Sequence, residues 1–440
     1  MAEPSEPQVN ASSNVTEAAT QLTFAAPKNW GVYGQFTGVS QYHSSFTAPY
    51  SGKNSLGPDS AISTTTDLTL FAGMRLFDGG ELWINPEIDQ GFGLSNTVGM
   101  AGFPSGEAYK VGENIPYLRL PRLFYRQVIN LAGDEQTLDS SANQLGRTQS
   151  VNNIIVTLGK FSVTDIFDTN SYAHDPRADF FNWSIVESGA FDYAADAWGF
   201  TKGLSIEWTQ SKSTIRGGFF ALSQTPNTTI LDQTFTQHEW VGEFEQRVQF
   251  SDHPGKVKIL GFINQGNMGS YQDALRLQQQ SNSSTPDTSL VRQFSSRPGM
   301  AINVEQEVSS VLGVFGRTSI NNGSKEADDF TEINKSITAG LSLKGDHWER
   351  HDDTFGLAAV VNSLSSDAKA YFAAGGMGIL IGDGHMKYGP EKIIESYYSY
   401  SVPAVDHLML TLNFQYVVNP AYNQDRGPFS ILGFRLHKEF

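Results

Sequence analysis

The residues able to do chemistry in this sequence are mainly carboxylates and guanidiniums. Asp192 with Asp196, and Glu243 with Glu245, place two acids close together in the chain, the minimum set for hydrolysing a glycosidic bond across about 5 to 9.5 Å. A chain with 46 acidic residues supplies such pairs by composition alone, so they carry little weight. There is no G-x-S-x-G nucleophile turn and no H-E-x-x-H zinc motif. The glycine-rich stretch GGMGILIGDG (375 to 384) lacks the Gly-Lys-Ser/Thr ending of a phosphate loop and reads as a turn between elements. No Cys is present, which excludes disulfides and thiolate metal ligands. The reading is not an enzyme, and no cofactor is implied.

The arginines are more informative. Arg122 and Arg126, in PRLFYRQ, stand four residues apart and so share one face of an extended strand. Arg75, Arg216, Arg247, Arg317 and Arg435 take the polar positions of other alternating segments, and Glu87, Asp89, Glu243 and Glu245 supply the opposite sign. A second cluster, Asp165, Asp168, Asn170, His174, Asp175, Arg177 and Asp179, lies in one polar, aromatic stretch. It suits a constriction, a Ca²⁺ site of oxygen ligands, or a salt-bridge network anchoring a loop. The Gly and terminal Glu of an EF-hand are missing.

What positions these side chains is a series of strands. In AVDHLMLTLNFQYVV, Leu408, Leu410, Leu412, Phe414, Tyr416 and Val418 alternate with His407, Met409, Thr411, Asn413 and Gln415. The same period of two sets Leu68, Leu70, Ala72, Met74 and Leu76 against Asp67, Thr69 and Arg75. It also sets Leu82, Ile84, Pro86 and Ile88 against Trp83, Asn85, Glu87 and Asp89, and Trp240, Phe244, Val248 and Phe250 against Glu239, Glu243, Glu245 and Arg247. Sixteen such segments begin near residues 30, 65, 80, 117, 151, 201, 213, 237, 255, 299, 310, 331, 354, 391, 405 and 429. The last, FSILGFRLHKEF, puts Leu432, Phe434, Leu436 and Phe440 on one face and Arg435, His437 and Glu439 on the other.

Composition agrees with a β protein of unusual surface. Of the 440 residues 39% are apolar, and Gly (42), Phe (29), Tyr (16) and Trp (7) are abundant. Mean hydropathy is -0.30, and no run approaches the roughly 18 apolar residues of a spanning helix. A net charge of -16 argues against nucleic acid as partner. Residues 1 to 28 are polar and read as a flexible lead-in without an apolar signal region; for an exported protein this means the signal peptide is already removed. Residues 29 to 440 read as one domain.

Strands with long aliphatics on one face and charges of both signs on the other suit a closed all-β barrel with lipid outside and water inside. Closure also removes the unpaired sheet edge that lipid cannot solvate. The last strand then pairs with the first, WGVYGQFTGVSQY, and Phe440 sits at the rim. About sixteen antiparallel strands leave an aqueous lumen, to be narrowed by the segments 91 to 116 and 165 to 200, too long for turns and too aromatic for disorder. SYQDALRLQQQ (270 to 280) reads as a short amphipathic loop helix.

The stretches GKFSVTDIFDTNSYAHDPRADFFNW, FDYAADAWGF, DQGFGLSNT, GEAYKVG, GDG at 382 to 384 and NPAYNQDRGP resemble the carbohydrate-selective porins, the OprB type of bacterial outer-membrane channels, over residues 29 to 440. The resemblance implies a sixteen-stranded barrel in the bacterial outer membrane, with inward-folded loops, that takes up sugars by passive diffusion. It also implies contact with outer-membrane lipid and lipopolysaccharide, and leans towards monomers, whereas trimers are common among sixteen-stranded porins. A sugar-selective constriction needs planar donors beside aromatic surfaces. Arg122, Arg126, Arg75, Arg216 and Arg247, facing Glu87, Asp89, Glu243 and Glu245, fit that need, as do the loop cluster and Asp196; alternatively these charges solvate the lumen and pair with each other. Trp183, Tyr193 and Trp198 either stack on sugar faces or pack the loop on the wall. Rival readings are a channel for anionic solutes such as organic acids or phosphate esters, and a soluble carbohydrate-binding β protein.

Overall fold

A computed structural model describes residues 29 to 440; the lead-in expected over 1 to 28 lies outside the described residues. The strands are β1 (Trp30–His43), β2 (Ala61–Phe77), β3 (Gly80–Gly91), β4 (Tyr117–Asn130), β5 (Glu135–Leu138), β6 (Arg147–Ser150), β7 (Asn153–Phe161), β8 (Thr201–Gln210) and β9 (Ser213–Ala221). They continue with β10 (His238–Phe250), β11 (His253–Gly269), β12 (Arg292–Ser309), β13 (Leu312–Asn321), β14 (Lys335–Gly345), β15 (Arg350–Ser363), β16 (Glu391–Ser401), β17 (Leu408–Val418) and β18 (Phe429–Glu439). All but β5 and β6 form one closed antiparallel barrel, so sixteen strands line it, with β4 pairing β7 and β18 closing on β1.

The alternation read from the sequence is the alternation of the barrel wall. Leu68, Leu70 and Met74 of β2 are exposed, while the alternating Asp67 and Thr69 are buried; Leu412 and Phe414 point out while Thr411, Asn413 and Gln415 point in. Outward aromatics collect near the strand ends: Trp30, Phe77, Trp208, Phe250 and Phe440 at one end, Tyr42, Phe294 and Tyr416 towards the other. Such girdles flank the apolar band of spanning barrels. Phe440 completes closure: its main-chain N–H and C=O pair with Gly34 at 2.9 and 2.7 Å, and its ring occupies the place a side chain at residue 34 would take.

Most connections at one end are short, the one between β4 and β7 excepted. Two residues suffice at 78–79, 211–212, 251–252 and 310–311, and Ser251 and Asp252 both take positive φ, the twist-compatible hairpin turn. At the other end the loops are long and carry α1 (Trp183–Val186), α2 (Tyr271–Ser281) and α3 (Ser366–Ala373). The expected helix at 270 to 280 is α2, begun by a Ser270 cap that accepts from the Asp273 N–H. Residues 375 to 384 lead from α3 towards β16, without further helix or strand.

The hydrophobic core lies inside the barrel and is made largely of loop side chains. Phe103, Phe167, Trp183, Phe191, Tyr193, Tyr271, Tyr371 and Tyr422 belong to one buried cluster.

Candidate functional site

Residues 162 to 200 fold into the lumen, and the wall charges hold their backbone there. Glu395 accepts the main-chain N–H groups of Phe181 and Asn182 at 2.5 and 3.0 Å. Glu305 accepts Ser171 N–H at 2.7 Å, Glu243 accepts Asp168 N–H at 2.8 Å, and Glu239 accepts Ala194 N–H at 2.7 Å. Arginines serve the carbonyls: Arg317 donates to Ile185 and Ala173 at 2.9 and 2.6 Å, and Arg435 to Pro176, Ala178 and Asp179 at 2.7 to 2.9 Å. The loop at 92 to 116 is held likewise, Glu391 accepting from Ala101 and Gly102 at 3.0 and 2.6 Å. A buried loop must satisfy its peptide groups somewhere, and charge-assisted bonds from a rigid wall do so strongly.

Within the loops lies a cavity of about 200 Å³, lined among others by Glu107, Arg122, Asp165, Arg177, Trp198 and Phe200. Arg122 clasps Asp165 in a two-pronged pair at 2.8 and 2.6 Å. Asp165 also accepts Ser162 N–H at 3.0 Å as half of a capping box, which fixes the start of the loop. Arg177 reaches Glu107 at 2.9 Å, Glu87 at 3.3 Å and Asp67 at 3.4 Å. Glu87 and Asp89 are both bound by Arg119, whose guanidinium also donates to Tyr109 at 2.9 Å. The Phe200 ring lies 5.1 Å from the Arg119 guanidinium and 5.0 Å from that of Arg122, within cation–π reach.

Arg119 is the residue that sequence reasoning missed. Arg122 pairs with Asn85 and Arg119 with Glu87, so β4 carries one residue more than β3 between these pairs. This bulge at Leu120 and Pro121 reverses the alternation and brings Arg119 inward. Proline, which cannot donate in the ladder, is at home at such a break. Glu107 and Glu187 also line the cavity and were not singled out. Burial pushes the Glu187 carboxyl up to about 8, and burial, followed by the Arg317 charge, lowers the His174 imidazole.

The expected residues separate into groups. Arg122, Asp165, His174, Asp175, Arg177 and Trp198 line the cavity, with Glu87 and Asp89 behind the Arg119 and Arg177 guanidiniums. Asp168, Asn170 and Asp179 anchor the loop instead. Asp168 accepts from Ser188 N–H and Oγ–H at 2.6 and 2.9 Å, Asn170 donates to Asn303 at 2.8 Å, and Asp179 accepts from His174 and Asp175 N–H at 2.9 and 3.1 Å. Asp196 accepts from Trp198 and Phe200 N–H at 3.1 and 3.3 Å and lies 3.2 Å from Lys160. Trp183 is sandwiched between Phe103 and Phe330, ring centroids 5.2 and 5.5 Å away, and is 5% exposed; Tyr193 packs on Phe330 at 4.4 Å. Both also border the cavity, but their ring contacts belong chiefly to the packing of the loop.

Arg216, Glu243, Glu245 and Arg247 form a separate wall network. Arg216 lies 2.6 Å from Glu243, 2.9 Å from Glu245 and 2.9 Å from Glu207, and Arg247 3.4 Å from Glu245. Arg75 and Arg126 do not reach the cavity; both donate to the β5–β6 hairpin, at Gly146 and Asn143. Among the described residues no group of three or more His, Asp or Glu side chains is placed to hold a metal ion.

A sequence profile described as "Carbohydrate-selective porin, OprB family" matches residues 53–440. No curated protein matches the chain. Among solved structures, the chain is similar to OprB of Pseudomonas putida at high pH, with a TM-score of 0.70, 13% identity and 94% of each chain covered. It also aligns with the outer-membrane channel DcaP of Acinetobacter baumannii, at 0.49 and 10% identity over 93% of this chain and 97% of that one. A BenF-like porin of Pseudomonas fluorescens aligns at 0.47 and 10% identity, over 94% and 99%.

Proposed function

The chain belongs to the OprB family of carbohydrate-selective porins and is an outer-membrane porin; from that premise we propose that it passes neutral mono- and small oligosaccharides by diffusion through the loop-lined cavity. The observation that supports this best is that the wall cations are already engaged. The lining cations Lys110, Arg122 and Arg177 bond to the Ile379 carbonyl, to Asp165, and to the acids Glu107, Glu87 and Asp67. At Arg122 and Arg177 a solute anion would have to displace a carboxylate at close range, whereas sugar hydroxyls accept from the donors left over and offer protons to the carboxylate oxygens. Paired charges also hold a polar solute weakly enough for it to leave.

The barrel face supports contact with outer-membrane lipid and lipopolysaccharide, because apolar side chains are exposed on strands all round it. The mechanism has no covalent step: a sugar enters from the long-loop end, exchanges water for wall hydrogen bonds beside Phe200 and Trp198, passes Arg177 and leaves towards the short turns. Zero-current potentials in a salt gradient test the balance of charge. A weakly ion-selective pore is expected, and strong anion selectivity would replace this reading with the organic-acid channel.

A further inference from the structure

The connection between β4 and β7 differs from the others at the short-turn end. Asn130 of β4 already pairs with Asn153 of β7, so two residues would close it, as they close 211–212 and 251–252. Residues 131 to 152 intervene instead and carry the β5–β6 hairpin, which folds into the barrel. Arg75, Glu81 and Arg126 form one cross-strand row, Arg75 opposite Glu81 and Glu81 opposite Arg126, and all three bind the hairpin. Arg75 donates to the Gly146 carbonyl at 2.8 Å, Arg126 to the Asn143 carbonyl at 2.6 Å, and Glu81 accepts from Arg147 at 2.6 Å. Asn85, further along β3, donates to the Asn143 side chain at 2.9 Å.

The wall is shaped to receive it. Gly31 and Gly73 face each other on β1 and β2; a Cβ on Gly73 would lie 2.5 Å from the Trp83 ring, and one on Gly31 would lie 3.2 Å from Leu145 Cδ2. Leu145 is fully buried there. Arg147 and Gln149 of β6 are buried towards the wall, so alternation turns the exposed Thr148 into the lumen. The opposite side stays open: a second cavity of about 410 Å³ is lined by residues of β12 to β18 and of the loop at 171 to 179, and Arg177 lines both cavities.

We propose that the hairpin Glu135–Ser150 is a second size filter in the periplasmic half of the pore, which confines the solute path to the β12–β18 side and limits the saccharide that leaves the barrel. This filter is separate from the loop-lined cavity and rests on the channel reading. If the two halves contribute equally to the resistance and the hairpin covers about half of the lower cross-section, its removal raises conductance roughly 1.3-fold.

The test is the full chain with residues 131 to 152 replaced by Asn-Gly, in planar bilayers and in liposomes. Expected are a conductance increase of that order and entry of oligosaccharides that the wild type excludes; wild-type conductance together with a wild-type size limit overturns the proposal. A second measurement does not depend on folding of the shortened chain. The protein has no Cys, so Thr148→Cys can be modified alone with a bulky thiol reagent and compared with Lys212→Cys in a rim turn. Conductance should fall on modification at 148 and not at 212, and no fall at 148 overturns the filter. A wild-type protein without any conductance would overturn the channel reading instead.

Discussion

Replacing Arg122 by Ala should convert the pore into a cation-selective one without releasing the loop. Asp165 loses both guanidinium bonds but keeps the Ser162 N–H and its place in the capping box, so the perturbation is chiefly one uncovered negative charge on the cavity wall. At roughly 5 Å in a water-filled pore, a monovalent ion feels about 0.8 kcal/mol from it, which is about a fourfold enrichment of cations and a similar depletion of anions. The permeability ratio therefore shifts by roughly 16-fold at low salt, and less at high salt as screening sets in. Reversal potentials across a KCl gradient read this directly. Asp165→Asn should shift them the other way, and the double variant should return close to wild type. If Arg122→Ala leaves the reversal potential unchanged, the pair does not face the conducting path and the placement of the constriction is wrong.

Glu395→Ala strips Phe181 and Asn182 of their acceptor, also frees Asn413, and should cost about 2–4 kcal/mol of loop anchoring; noisier, larger conductance with lower thermal stability is expected, and a quiet wild-type trace would refute the anchoring role. Trp183→Ala, which empties the space between Phe103 and Phe330, should lower stability by about 3–5 kcal/mol, whereas Trp198→Ala, at the cavity edge, should act on sugar permeation more than on unfolding temperature. Because burial raises the Glu187 carboxyl to about 8, the stability gained by keeping it protonated is fully present below its ordinary value, falls as pH rises, and is gone above about 8. Glu187→Gln should therefore gain on the wild type between pH 5 and 9 in thermal unfolding followed by circular dichroism, and a constant difference would contradict the assignment.

Much of this architecture can be read from the chain because a spanning strand leaves a period of two that little else produces. Segment starts expected near 80, 117, 201, 213, 391 and 429 coincide with those of β3, β4, β8, β9, β16 and β18, and the closing pair of β1 and β18 follows from the same logic. The period also hides things. A single bulge at Leu120 and Pro121 moves Arg119 to the opposite face from the one alternation assigns, and alternation alone does not show that Arg75 and Arg126 are taken up by a hairpin. Glu391 and Glu395 stand in a segment whose start the sequence shows, but their partners at Gly102 and Phe181 lie 289 and 214 residues away. Pairings at that separation are decided by how the loops pack, which no local pattern encodes.

Liposome swelling reads out whether the pore favours neutral saccharides. Glucose, a disaccharide, an amino acid of similar size and an organic acid would be compared on the same proteoliposomes. Swelling should be faster for the sugars than for size-matched charged or zwitterionic solutes. Rates ordered by size alone would contradict the selectivity, and faster uptake of the organic acid would show that the wall arginines serve anions after all.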